Sequence, residues 1–140
     1  MNFIFIILIV FILILISIED ISHKKIPNKY ILILIILFPV WILITADTWN
    51  FLHEPIISVL VNAGIIVISQ KLSDKKFGGG DIKLISVLSL YTGFPDGAEA
   101  LGVSLILAFP FALAKRGSIA MGPYISLGFS FILMKKALQL

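Results

Sequence analysis

The sequence predicts an all-α fold, a polytopic membrane protein with about six transmembrane helices, on three observations. Hydrophobic residues make up 59% of the chain and charged residues only 14%, whereas a soluble domain is roughly half apolar and about a quarter charged. The mean hydropathy is +1.10. The apolar residues are gathered into long runs separated by short polar segments, which marks membrane spans and not one large soluble core. A length of 140 residues allows a single membrane-embedded domain over 1–140.

The first span covers about residues 2–18, continuously apolar from Phe3 apart from Ser17. No Lys or Arg precedes it, it is long for a signal-peptide apolar region, and no small-x-small cleavage site follows, so it reads as a retained helix. A polar segment from Glu19 to Lys29 leads to the second span, about 30–46, and Asp47 to Glu54 form the next loop. The third span is about 55–70, followed by a charged, glycine-rich loop from Lys71 to Gly80. The fourth starts at Asp81 or Ile82 and ends near Gly93, where Phe94-Pro95-Asp96-Gly97 signals a turn. The fifth, about 98–114, is broken by Lys115-Arg116-Gly117, and the sixth runs over about 119–134. Several fall short of the usual ~20 residues, which implies little tilt or shelter by neighbours.

Basic residues orient these spans. Lys24, Lys25, Lys29, Lys71, Lys75, Lys76, Lys83, Lys115 and Arg116 fall in or beside the first, third and fifth loops, and the second and fourth loops have none. The positive-inside rule puts those three loops in the cytoplasm and the N-terminus outside. Lys135 and Lys136 count against this orientation. Asp20 and Asp81 then share the cytoplasmic face of the cell membrane. Trp41 and Trp49 fit the outer aromatic belt.

Composition also excludes functions. With no cysteine there is no thiol nucleophile, disulfide or CxxC metal site. His23 and His53 are too few and too far apart to suggest a metal centre, and no cofactor is implied. No basic ridge interleaved with aromatics points to nucleic acid.

Acids are rare at membrane depth, where one costs roughly 2.5–3.5 kcal/mol at a helix centre on insertion scales. Two of them on one face can share a water and hydrolyse an amide. One, ionised, takes the water's proton; the other, protonated, donates to the carbonyl oxygen. Like charges held close do not both ionise, so such a pair carries one proton. The alternative is structural and stands equally on pattern alone: Asp81 favours a helix N-terminus through the macrodipole, and Asp20 pairs with Lys24 four residues on. Gly78-Gly79-Gly80 lets the backbone bend or approach another backbone closely beside Asp81. Pro27 fits the first turn of the second helix, and Asn28 satisfies local backbone. Asp47, Glu54, Asp96 and Glu99 read as solvated loop acids, Asp74 as a partner of Lys71, Lys75 and Lys76, and the two histidines as loop residues. Glu19 points away from its neighbour's site.

Asp20 with Lys24, Lys25, Ile26, Pro27 and Asn28, then Gly78-Gly79-Gly80-Asp81-Ile82-Lys83, resembles the type IV prepilin peptidase family of GxGD membrane aspartyl proteases. Ala120-Met121-Gly122-Pro123-Tyr124 is similar to a weaker third segment of that family. The resemblance covers nearly the whole chain. It implies an aspartic endopeptidase, with Asp20 and Asp81 as the dyad and Gly78, Gly80, Lys83, Pro27 and Asn28 in support. Its substrate would be the basic leader of a prepilin-like precursor (a Flp/Tad pilin, pseudopilin or archaellin-type protein), cut at the cytoplasmic membrane face, with pilus or secretion assembly machinery as further partners. Lys83 either tunes Asp81 or snorkels from a helix start. Larger members carry a CxxC-bearing insertion and also methylate the product; lacking cysteine, this chain is expected to be a peptidase only. Ser22 and Ala120-Met121 depart from the family's usual residues, away from the acids, and bear on leader preference and late-helix packing.

Three other readings compete. A presenilin- or signal-peptide-peptidase-like GxGD protease would carry Tyr before its first Asp, where this chain has Glu19. A proton-relay or transport protein would place acids at the midplane on broken helices. An inactive pilus-assembly factor would not need both acids.

Overall fold

A computed structural model describes residues 3–45, 52–73, 78–114 and 119–138. Among them the chain forms six α-helices and no strand: α1 (Phe3–His23), α2 (Asn28–Thr45), α3 (His53–Ser73), α4 (Gly79–Thr92), α5 (Asp96–Ala114) and α6 (Gly122–Ala137). Isoleucine-rich runs such as that of α1 favour strands on a pleated, half-buried surface in water. In lipid every backbone N–H and C=O must be satisfied within the segment, and helix wins. Pro39 in α2 and Pro110 in α5 lie inside their helices, which membrane helices tolerate because neighbours re-satisfy the freed groups.

A helix is present at each of the six predicted spans, with shifted ends. α1 continues five residues past its predicted end and takes Glu19 and Asp20 out of the expected loop. Nothing there breaks a helix until Lys24, whose φ of 51° turns the chain. Gly79, Gly80 and His53 likewise belong to helix starts, and His23 to a helix end. Three helices, α1, α3 and α5, are long and apolar enough to cross a membrane unaided. α4 has only 14 residues, about 21 Å at 1.5 Å per residue. It is flanked by α2, α3, α5 and α6, so surrounding protein shelters it where its length falls short of the lipid.

α1 packs along α6, α6 along α5, and α3 along α4. α1 and α4, the helices bearing the two acids, are bridged by α2 and α6. On α1, Ile6, Ile9, Leu13 and Ile16 recur at helical spacing and are buried on one face. They join Leu84, Ile85 and Leu88 of α4 and Ile125, Phe129, Ile132 and Leu133 of α6 in the core. Trp41 also belongs to this core, packed against Phe5 and Tyr91 at ring separations of 5.6 and 5.8 Å. It is 2% exposed and does not stand in an aromatic belt as the sequence suggested; the ring finds aromatic partners on α1 and α4. Trp49, Asp47 and Asp74 lie outside the described residues, with Lys75, Lys76, Lys115 and Arg116.

Lipid gives helices no hydrophobic reason to associate, so small residues and polar contacts hold them. Gly128 of α6 meets Ser104 and the Ala100 carbonyl of α5 with no room for a side chain. The buried Asn62 of α3 donates to Ser89 Oγ of α4 at 2.6 Å and to the Gly97 carbonyl of α5 at 3.1 Å. Asn62→Ala is expected to cost about 1 kcal/mol, the scale of an interhelical hydrogen bond in a membrane, read as a lower unfolding midpoint in a denaturing-detergent titration. An unchanged midpoint would remove Asn62 from the account of packing.

At the end of the bundle remote from Asp20, Lys135 Nζ lies 3.0 Å from Glu99 Oε1 and Lys136 Nζ 3.3 Å from Asp96 Oδ2. Lys136 also donates to the Thr92 carbonyl at 2.9 Å. Asp96 and Glu99 are therefore paired, not simply solvated as predicted. The two lysines that weighed against the orientation are matched by two acids at that end.

Candidate active site

Asp20 lies in the last turn of α1, 4% exposed. Its side chain turns away from Lys24, against the pairing allowed by the sequence, and toward the start of α6. There the Gly122 N–H donates to Asp20 Oδ2 at 2.8 Å. Lys24 meets Asp20 through backbone alone, its N–H donating to the Asp20 carbonyl at 2.8 Å. The third sequence segment, expected to bear only on late-helix packing, thus reaches an acid directly.

Asp81 is the third residue of α4. Its carboxyl turns back over Gly78, where an added Cβ would meet Asp81 Oδ2, beside the orphan N–H groups of the helix start. The carboxyl thus lies beside the helix start that the capping reading of Asp81 pointed to. The Asp20 carboxyl is near enough to act on that of Asp81 electrostatically. The bundle brings the two acids together at one end, from helices joined through α2 and α6.

The glycines around Asp81 provide space. Gly78 has φ −62° and ψ 143°, a conformation open to any residue, and Gly79 and Gly80 are helical. A Cβ on Gly78 would stand 2.9 Å from Asp81 Oδ2, and one on Gly80 would stand 3.0 Å from Ile26 Cβ and 3.6 Å from Ile26 N. The close approach expected of this run is present; the bending is not what it supplies.

The segment after Asp20 is tied down on both sides. Glu19 Oε1 accepts from Lys29 Nζ at 2.8 Å and Tyr30 Oη at 2.9 Å, while Asp20 points inward, so the two adjacent acids do separate work. Lys83 Nζ donates to Asn28 Oδ1 at 3.3 Å. Asn28 thus joins α2 to α4 where local backbone satisfaction was expected, and Asn28, not Asp81, is the partner taken by the Lys83 ammonium. Pro27 flanks α2 instead of lying in its first turn. Its carbonyl accepts the Tyr30 N–H at 3.3 Å and so begins the turn from outside. Among the described residues, no three of His, Cys, Asp and Glu gather as a metal's donors would.

The pattern in sequence that marks these segments is shared by known proteins. The profile of the type IV leader peptidase family matches residues 7–113, from α1 to the end of α5 and across both acids. The chain belongs to that family. Neither the curated proteins nor the solved structures include a significant match to it. Type IV leader peptidases are prepilin-type proteases, and at that level peptidase activity and a prepilin-like substrate come with membership. The all-helical architecture with long apolar helices agrees with a membrane protein.

Sequence reasoning missed Gly122 as a neighbour of Asp20. The Gly122-Pro123 pair marks a helix start, but a helix start alone does not say which acid it meets.

Proposed function

We propose that the protein is a membrane aspartic endopeptidase that removes the basic leader from type IV prepilin-like precursors at the cytoplasmic membrane face. Asp20 and Asp81 would activate water between them. The observation that carries this reading is two carboxyls, from helices far apart in sequence, gathered at one end of a bundle whose sequence belongs to the type IV leader peptidases.

The chemistry needs no further group. The ionised carboxylate takes a proton from water as the water oxygen bonds to the scissile carbonyl carbon. The protonated partner gives its proton to the carbonyl oxygen. Collapse of the tetrahedral species breaks the C–N bond; the proton held by the first acid goes to the leaving amine, and as C=O re-forms a hydroxyl proton returns to the second acid, which restores the one-proton pair. Methyl transfer is not proposed, as the sequence has no cysteine to build the CxxC insertion of the larger members.

The orientation follows from basic residues. Lys24, Lys25, Lys29, Lys71 and Lys83 flank the acid-bearing end, and cytoplasmic loops are the basic ones. A leader kept in the cytoplasm would present its cleavage site there.

The test is cleavage in liposomes. Purified protein offered a prepilin-type precursor should release a shorter product with a single new N-terminus, identified by mass spectrometry. Folded protein that leaves Flp-type, pseudopilin and archaellin-type precursors all intact would overturn the reading.

A further inference from the structure

The family match stops at residue 113, before α6 begins, yet the first residue of α6 touches Asp20. The Gly122 N–H donates to Asp20 Oδ2 at 2.8 Å in a buried setting. A Cβ on Gly122 would lie 2.7 Å from Asp20 Oδ2 and 3.0 Å from both Asp20 Cβ and Cγ. Any side chain there would push the carboxyl away from its donor. Pro123, next in the helix, has no N–H to offer, so at this point α6 presents the amide of Gly122.

We infer that Gly122 is a positioning residue for the proposed dyad: its backbone N–H holds Asp20 by one carboxylate oxygen and leaves the other to work on water. The inference rests on the dyad reading and deepens it. A hydrogen bond from an N–H favours negative charge on the oxygen that accepts it. Oδ2 is thereby kept unprotonated, and the single proton of the pair resides on Oδ1 or on Asp81. Among the described residues, the ionisable group that feels the Asp20 charge is Asp81, from α4; Glu19, adjacent in sequence, is engaged with Lys29 and Tyr30. With Oδ2 fixed, the carboxyl does not rotate, and the working oxygen keeps one place relative to Asp81. The site is then built from three segments, the end of α1 with Asp20, the start of α4 with Asp81 and the start of α6 with Gly122.

The full-length Gly122→Ala variant in liposomes, with a prepilin-type precursor, tests this through kcat and KM measured across pH. We expect kcat to fall on the order of 30-fold, the scale of a displaced catalytic group, with KM within about twofold because no substrate contact is removed. We also expect the acidic limb of the kcat profile to move to higher pH, since the carboxylate loses its donor. Gly102→Ala, where a Cβ meets nothing within 4 Å, should match wild type.

Should Gly122→Ala not fold, the amide itself reports. In protein carrying 15N-glycine, Asp20→Asn should move the Gly122 amide proton upfield more than any other glycine amide, because a charge-assisted bond becomes a neutral one. A folded Gly122→Ala with wild-type kcat, or with lower kcat and an unmoved pH profile, overturns the inference, as does a Gly122 amide indifferent to Asp20→Asn. If Asp20→Asn itself still cleaves, the dyad reading fails. If it does not cleave while Gly122→Ala behaves as wild type, the dyad stands and the positioning role alone falls.

Discussion

Replacing either Asp20 or Asp81 with asparagine is expected to lower precursor cleavage by roughly 10³-fold or more, about 4 kcal/mol of barrier. Asparagine has nearly the same shape and keeps an oxygen that can accept one hydrogen bond. The Gly122 N–H can still bond at position 20, and at position 81 the amide keeps the carboxyl's size beside Gly78, so both variants should fold. What asparagine lacks is the ability to take or give a proton. Each acid does one half of the proton transfer, so the two losses should be similar in size. They should also fail to add. Once one member of the pair is gone, the other has no partner to act with, and the double variant should be no worse than either single one. Thermal unfolding in detergent checks the fold, and a size shift of the precursor checks the activity. A single variant that keeps more than about a tenth of wild-type kcat/KM, where tenfold is only 1.36 kcal/mol, would show that its acid is structural.

Much of this architecture was legible in the residues, for reasons that also explain what was not. Spans are legible because lipid requires apolar residues in runs and loops collect the charges. The shared end of Asp20 and Asp81 followed from which loops are basic. Which apolar residue faces protein and which faces lipid did not follow. In α1, Ile4 is 81% exposed and Ile9 is fully buried, although they are the same residue on the same helix. In water the polar face would reveal the buried one; in lipid both faces are apolar and the period is silent. Trp41 was misplaced for this reason. Contacts between segments distant in sequence were hidden too. Nothing near Asn28 announces Lys83, and nothing near Lys135 announces Glu99, since each partner comes from a helix whose rotation is set by packing. Asp81 after its glycine run and Asp20 before Ile26-Pro27-Asn28 were readable as a candidate site, but the donor that holds Asp20 comes from 102 positions away.

The three consecutive glycines before Asp81 should respond very differently to alanine, although sequence makes them look alike. None of them needs glycine for its backbone angles: Gly78 is extended, the next two are helical, and among the described residues the glycine with positive φ is Gly93. The difference is in what a methyl group meets. On Gly79 it meets nothing within 4 Å. Alanine also favours helix over glycine by about 0.8–1.0 kcal/mol in a helix interior. Gly79→Ala should therefore keep cleavage within about twofold and leave stability equal or slightly higher. On Gly78 the methyl stands 2.9 Å from Asp81 Oδ2. The carboxylate is the movable partner and must swing away from Gly78, and a misplacement of about 1 Å at a reacting group can cost on the order of 10²-fold. On Gly80 the methyl presses on Ile26, in the tied segment that joins Asp20 to Asn28. The strain there is shared with the clasp of Lys83 on Asn28, so Gly80→Ala should lose stability as well as rate, whereas Gly78→Ala should lose mainly rate. The ordering of rates, with position 79 near wild type and 78 the lowest, is read from initial cleavage rates of the three variants at equal folded concentration. Equal sensitivity at all three positions would mean that the run is needed for backbone freedom after all, and that the space around Asp81 is not what these glycines provide.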